Sequence, residues 1–146
     1  MYRHILIPTD GSDVAAKGVQ HGLELAKALG AQVTAITVTA LWGPLESARK
    51  PSLKSTIDAL KKEAADEAGR VLGGVVKLAD SQGVSIDTVY EMDTSPAEAI
   101  IRAAADRGCD LIVMSSHGHR GIRRAILGSQ TAEVLTSSKV PVLVVR

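Results

Sequence analysis

The sequence predicts a single doubly wound α/β domain, and a few observations carry that expectation. Short apolar runs alternate with amphipathic helical stretches along the whole chain, β-α-β-α-β-α-β-α-β. That order belongs to a parallel sheet covered by helices on both faces. The run Leu111 to Met114 contains no polar residue, as expected for a strand buried on both faces. The chain ends in a comparable run, Val140 to Val145. With 146 residues and neither an internal repeat nor a low-complexity linker, one domain spanning 1–146 is expected.

Taken in order, Ile5-Leu6-Ile7 forms the first strand and Pro8 ends it. Thr9-Asp10-Gly11-Ser12 is a turn, with Ser12 as N-cap of a helix that places Ala15, Val19, Leu23 and Ala26 on one stripe. Gly30 ends that helix. Gln32 to Val38 is the second strand, and Thr39 to Ser52, with Trp42, Gly43 and Pro44, is irregular. A long helix follows, its stripe running through Leu53, Ile57, Leu60, Ala64, Ala68, Val71 and Val75. Gly73-Gly74 interrupts the pattern and implies either close packing or a kink. Gly83 stops the helix, and Val84 to Glu91 alternates as a strand with one wetter face. Ser95-Pro96-Ala97-Glu98 reads as a capping box in which Glu98 reaches back. Ile100, Ile101 and Ala104 form the buried stripe of this helix, and Gly108 closes it.

Composition narrows the classes of function. Apolar content of 45% and charged content of 23% are those of a soluble globular protein. A net charge of +1 gives no field that favours nucleic acid or a membrane surface. The single cysteine, Cys109, excludes an internal disulfide framework and suits a cytoplasmic location. No apolar stretch reaches membrane-spanning length, and the first residues lack a signal-peptide pattern.

The basic character is local. After Met114 come Ser115-Ser116-His117-Gly118, then a loop holding His119, Arg120, Gly121, Arg123 and Arg124, with no acidic residue between Asp110 and Glu133. Gly128-Ser129 introduces a Ser-capped helix whose apolar positions include Val134 and Leu135. Glycines let successive N–H groups converge, a helix start offers unpaired N–H groups, and arginines supply forked donors. Together these describe a phosphate site; the competing description is a solvated surface loop before an ordinary helix cap. Asp10, at the end of the first strand, is placed either to meet a ligand or to bond its own turn.

Several nucleotide and metal motifs are missing. There is no GxxxxGK[ST], no GxGxxG after the first strand, and no third ligand to join His117 and His119 around a metal. A receiver-type phosphorylation domain would need a lysine beyond the last strand, and a PP-loop adenylating enzyme a glycine pair that DGSD lacks.

The segments ILIPTDGS, MSSHG, ILGS and VPVLVVR resemble the universal stress protein family over almost the whole chain. In the family's nucleotide-binding branch the signature is Gly, two residues, Gly, nine residues, then Gly with Ser or Thr. Here Gly118 matches the second glycine, nine residues run from His119 to Leu127, and Gly128-Ser129 match the close. Ser115 replaces the first glycine, and Met92-Asp93-Thr94-Ser95 stands where many members place glycine.

The resemblance implies a five-stranded parallel sheet in the order 3-2-1-4-5. Pro8, Thr9 and Asp10 then share a crevice with Ser115, His117 and Gly118. It also implies a ligand, ATP, with Mg²⁺ carried by the nucleotide. Asp10 would contact the ribose region and Val38 would offer backbone atoms to the adenine. Met114 and Ser115 would lie beneath the ribose and α-phosphate, Gly118 would cradle phosphate, and Gly128, Ser129 and Gln130 would grip the outer phosphates. Arg120 and His117 are further phosphate donors by position and charge. No residue stands out as a base that orients water, so an ATP-binding regulatory protein that is at most a slow ATPase is expected. The alternative is a dimeric interaction module of the branch that binds no nucleotide. In both cases Val140 to Val145 would pair two chains as a homodimer.

Overall fold

The computed structural model describes residues 1–41, 51–117 and 127–146, with the side chains of Pro51 and Ser52 outside that description. Trp42, Gly118, His119, Arg120, Gly121, Arg123 and Arg124 lie outside the described residues. The elements are β1 (His4–Pro8), α1 (Asp13–Leu29), β2 (Gln32–Ala40), α2 (Pro51–Gln82), β3 (Ile86–Asp93), α3 (Pro96–Asp106), β4 (Leu111–Ser115), α4 (Ser129–Ser137) and β5 (Val142–Val145). All pairings are parallel, in the order β3-β2-β1-β4-β5.

Period-two alternation divides each inner strand between two cores. Ile5 and Ile7 of β1, with Leu111 and Val113 of β4, pack against Val19 and Leu23 of α1 and Leu72 and Val75 of α2. Leu6, Ile112 and Met114 point the other way, onto Ile100 and Ala103 of α3 and Val134 of α4. Leu23, Ile112 and Val134 are fully buried; each is worth about 1.5–3 kcal/mol relative to exposure.

α1 follows its sequence signals closely. Ser12 Oγ accepts from the Ala15 amide at 3.1 Å, Asp13 sits at the positive end of the dipole, and Gly30 closes the helix at φ 65°. Gly18 and Gly22 are also buried on its inner face, a feature the apolar stripe alone did not reveal. A Cβ on Gly18 would lie 2.8 Å from the Ser115 amide nitrogen, and one on Gly22 2.5 Å from Ile7 Cδ1. These glycines let α1 sit directly on β4 and β1.

Several boundaries and contacts differ from expectation. β3 begins at Ile86, because the Val84 amide bonds Ala79 O at 3.0 Å and finishes α2 after Gly83. β2 continues to Ala40, which pairs with Asp93. In the Ser95 cap, Ser95 Oγ accepts from the Glu98 amide at 3.3 Å, but Asp93 Oδ1, and not Glu98, accepts the Ser95 amide at 2.9 Å. α4 is not Ser-capped: Gly128 is its N-cap, without a side-chain bond. Leu135 is 47% exposed, since this short helix buries only Thr131 and Val134. β5 is shorter than the apolar run, with Pro141 O accepting from Ile112 N just before it starts.

The long helix has the expected period but not the expected burial. Leu53 and Leu60 are 46% and 48% exposed, while Ala68, Leu72, Val75 and Ala79 are buried. At 32 residues α2 is ~48 Å long, whereas β3, with eight residues, spans ~26 Å. Its first turns therefore outrun the sheet. Close packing does not account for Gly73-Gly74, since a Cβ on either would meet nothing within 4 Å. Gly73→Ala and Gly74→Ala are each expected to stabilise the protein by about 0.5–1 kcal/mol, checked by urea unfolding of the single and double variants.

Asp110 joins the starts of β1 and β4. Its carboxylate accepts from the amides of Arg3 at 2.9 Å and His4 at 3.0 Å. Burial raises its pKa, but the His4 and Arg3 amides together outweigh that and hold it below the ordinary value. A carboxylate with a depressed folded pKa contributes stability above its unfolded pKa, and that contribution disappears as pH falls through the folded value. The stability gap between wild type and Asp110→Ala is thus expected to be widest near neutrality and to narrow below about pH 4. Urea unfolding midpoints measured across pH would show it. Cys109 is buried, and desolvation pushes its thiol up to about 11, the state of a packing residue and not a nucleophile.

Candidate functional site

β1 is flanked by β2 on one side and β4 on the other. α1 and α2 pack on one face and α3 and α4 on the opposite face. The carboxyl ends of β1 and β4 therefore form a topological switch point, where an open α/β sheet leaves a crevice. Ile5 and Leu6 pair with Leu111 and Ile112, so the turn after β1 and the segment after β4 emerge side by side.

The β1 side is a rigid turn. The Thr9 amide donates to Ile36 O at 2.9 Å and the Thr37 hydroxyl donates to Thr9 O at 2.9 Å. Thr9 Oγ1 in turn accepts from the Gly11 amide at 3.2 Å. Asp10 Oδ1 accepts from the Ser12 amide at 3.0 Å, so Asp10 does form a turn with its own backbone. Gly11 has φ 78°, and a Cβ there would fall 2.6 Å from Val71 Cγ2. Pro8 ends β1 opposite Ile36, and Val38 packs half-buried against the α3–α4 core.

On the β4 side Met114 and Ser115 are buried. The Ser115 hydroxyl donates to His117 O at 2.7 Å, and Ser116 Oγ lies 3.0 Å from His117 Nδ1. The Ser116 amide donates to Val145 O and the Gly128 amide to Ser116 O, both at 2.8 Å. Thr131 Oγ1 donates to Ser115 O at 3.0 Å. Gly128 and Thr131 are therefore held to Ser116 and Ser115.

Gly128 approaches closely. A Cβ there would lie 3.1 Å from Ser116 O and 3.4 Å from His117 Cα. Because Gly128 brings no side-chain acceptor to the start of α4, the first-turn amides there keep the donor character of a helix N-terminus. Ser129 and Gln130 are exposed at that start. Gln130 Oε1 accepts from the Ala97 amide at 3.0 Å, which ties α4 to the first turn of α3. Nearby, Arg102 bonds Glu91 at 2.7 Å and Asp93 at 2.9 Å. The Ser95 amide and Arg102 hold the Asp93 carboxyl below its ordinary value, and Asp93 with Glu91 raises that of Arg102.

Of the residues singled out from sequence, the structure brings Pro8, Thr9 and Asp10 beside Met114, Ser115 and His117, and hydrogen-bonds Gly128 to that same segment. Gly118 and Arg120 lie outside the described residues. Thr37, Thr131, Gly18 and Gln130's bond to Ala97 were missed. A signal existed for Gly18, since two glycines four apart on the apolar side of a helix mark close approach. Among the described residues no group of three or more His, Cys, Asp and Glu could hold a metal ion, and no helix is long and apolar enough to cross a membrane.

Fold and site define an α/β domain with a switch point at the carboxyl ends of β1 and β4 and a glycine-started helix bonded to the end of β4. Comparison with known proteins gives the lineage: a model of the universal stress protein family matches residues 1–146, and the chain belongs to that family. Universal stress protein MJ0531 of Methanocaldococcus jannaschii is 37% identical over 146 residues, covering 100% of this chain and 83% of the relative. The solved structure of MJ0577 matches with a TM-score of 0.83 and 30% identity, covering 99% of this chain and 96% of that one. A universal stress protein solved in complex with cAMP matches with a TM-score of 0.61 and 25% identity, covering 99% and 97%.

Proposed function

We propose that this protein is an ATP-binding regulatory protein of the stress response, with the nucleotide held between the β1–α1 turn and the segment from Ser115 to Ser129. The observation that carries this reading is the start of α4, where Gly128 sits against Ser116 and His117 without a capping side chain. Anions favour such a helix start. The cAMP complex of a relative lends support, because it shows that an adenine nucleotide is a ligand within this fold.

In this reading Asp10 meets the ribose, Val38 presents backbone atoms to the adenine, and Pro8 and Thr9 form the wall beside them. Met114 and Ser115 lie beneath the ribose and α-phosphate. Gly118 cradles phosphate, and Gly128, Ser129 and Gln130 take the outer phosphates, with His117 and Arg120 as further donors. Since Gln130 Oε1 already accepts from Ala97, its contribution to phosphate comes from the amide Nε2 as donor. Mg²⁺ arrives with ATP. No residue is assigned as a base for water, so turnover is slow or nil. The protein acts in the cytoplasm as a homodimer.

An edge strand favours the dimer. Among the described residues β5 has a neighbour only in β4, its residues are half-buried valine and leucine, and an unpaired strand edge is an association surface. A dimeric module that binds no nucleotide is the second reading, and it rests on this edge alone. Calorimetric titration of the nucleotide-stripped protein with ATP and Mg²⁺, with AMP as competitor, separates the two. Saturable, competed binding supports the first; no heat and no competition leaves the second.

A further inference from the structure

The family's first motif glycine is Ser115 in this chain, and its environment gives that serine a task. Ser115 ends β4 in register with Val145, in extended pairing, and no described non-glycine residue has a positive φ. The backbone here does not call for glycine. The side chain is buried rather than open to the crevice, and its hydroxyl donates to the His117 carbonyl at 2.7 Å. The Ser115 carbonyl in turn receives the hydroxyl of Thr131 at 3.0 Å, from the first turn of α4. Thr131 is also buried. Between these bonds the Gly128 amide meets Ser116 O at 2.8 Å.

We propose that Ser115 and Thr131 are a pair of positioning residues that staple the entry and the exit of the phosphate segment, so that this chain holds the segment's base with hydroxyls. The proposal rests on the nucleotide reading for its effect on affinity, but the staple itself is a property of the protein alone. Ser115 bonds forward to His117 and Thr131 bonds back to Ser115, so each hydroxyl fixes one side of the opening. The Thr131 bond is buried and the Ser115 bond partly so, and a buried polar group that loses its partner is left unsatisfied.

A counterintuitive result follows. Restoring the motif glycine by Ser115→Gly is expected to weaken ATP binding about threefold to tenfold and not to improve it, the change that loss of one such hydrogen bond brings. Thr131→Val, which keeps the side-chain shape, is expected to do the same, and Thr131→Ser to restore wild-type affinity. Ser115→Ala separates the hydroxyl from backbone freedom and should match Ser115→Gly to within about twofold.

The experiment measures two quantities on each full-length variant: ATP affinity by calorimetry, and native-state exchange of the Gly128 and Ser116 amides by NMR. Exchange of the Gly128 amide faster by about threefold or more in Thr131→Val and Ser115→Ala, and reversed in Thr131→Ser, is the expected outcome. Unchanged exchange in both variants overturns the staple whether or not nucleotide binds. Tighter ATP binding by Ser115→Gly overturns its role in affinity. If the wild-type protein binds no ATP, the nucleotide reading falls, and the staple stands or falls on amide exchange.

Discussion

Gly18→Val is expected to destabilise the protein by at least about 3 kcal/mol. α1 lies directly on β4 here, and a Cβ at Gly18 would sit 2.8 Å from the Ser115 nitrogen and 3.2 Å from the Met114 carbonyl carbon. Both are backbone atoms in a strand held on each side by β1 and β5, so no side chain can rotate away. The helix must lift off the sheet, opening the contact that buries Val19 and Leu23. Overpacking typically costs about 1–3 kcal/mol for a side chain that can adjust, and this one has no room to do so. Gly22 is more forgiving, because the atom it would meet is Ile7 Cδ1, the far end of a side chain with other rotamers. Against a total stability of about 5–15 kcal/mol, Gly18→Val should lower the thermal midpoint by about 10 °C, measured by far-ultraviolet circular dichroism. Gly18→Ala should fall between it and wild type. An unchanged midpoint in both would mean that α1 does not approach β4 this closely.

That contrast between glycines shows how far sequence could go. Strand and helix identity was legible because burial on a parallel sheet leaves near-continuous apolar runs, as at Leu111 to Met114, and because Ser12, Gly30 and Gly83 mark helix ends by local chemistry. The strand order rested on family resemblance, since nothing within Ile5-Leu6-Ile7 specifies which strand lies beside it. Boundaries failed where a neighbour decided them: Val84 is apolar and β-branched, yet its amide completes a helix cap. Burial failed where length mattered, because the period of Leu53 and Leu60 says nothing about where the sheet ends. At the site, Asp10 and Gly128 were visible as residue types in a motif. Thr131 was not, since a threonine in a first helical turn is unremarkable until the Ser115 carbonyl is seen above it. For Gly73 and Gly74 close packing is not the reason, since a Cβ on either would meet nothing within 4 Å.

Gly128→Glu is expected to reduce ATP affinity by at least a hundredfold while leaving the fold largely intact. The loss has two sources. A Cβ at this position meets Ser116 O at 3.1 Å, tight enough to push the start of α4 away from the end of β4. The carboxylate then stands where the outer phosphates would lie. Two unit charges about 4 Å apart near a protein surface repel by about 4 kcal/mol, and every 1.4 kcal/mol is about tenfold in affinity. Folding is expected to suffer far less, because a negative charge at a helix N-terminus interacts favourably with the helix dipole, by about 0.3–1 kcal/mol. Gly128→Ala carries the crowding without the charge and should lose only a few-fold in affinity. The pair thus divides steric from electrostatic exclusion. Calorimetry with ATP and Mg²⁺ and a thermal midpoint for each variant provide the check. If both variants bind ATP as wild type does, the nucleotide phosphates lie away from α4, and the helix start has no part in holding them.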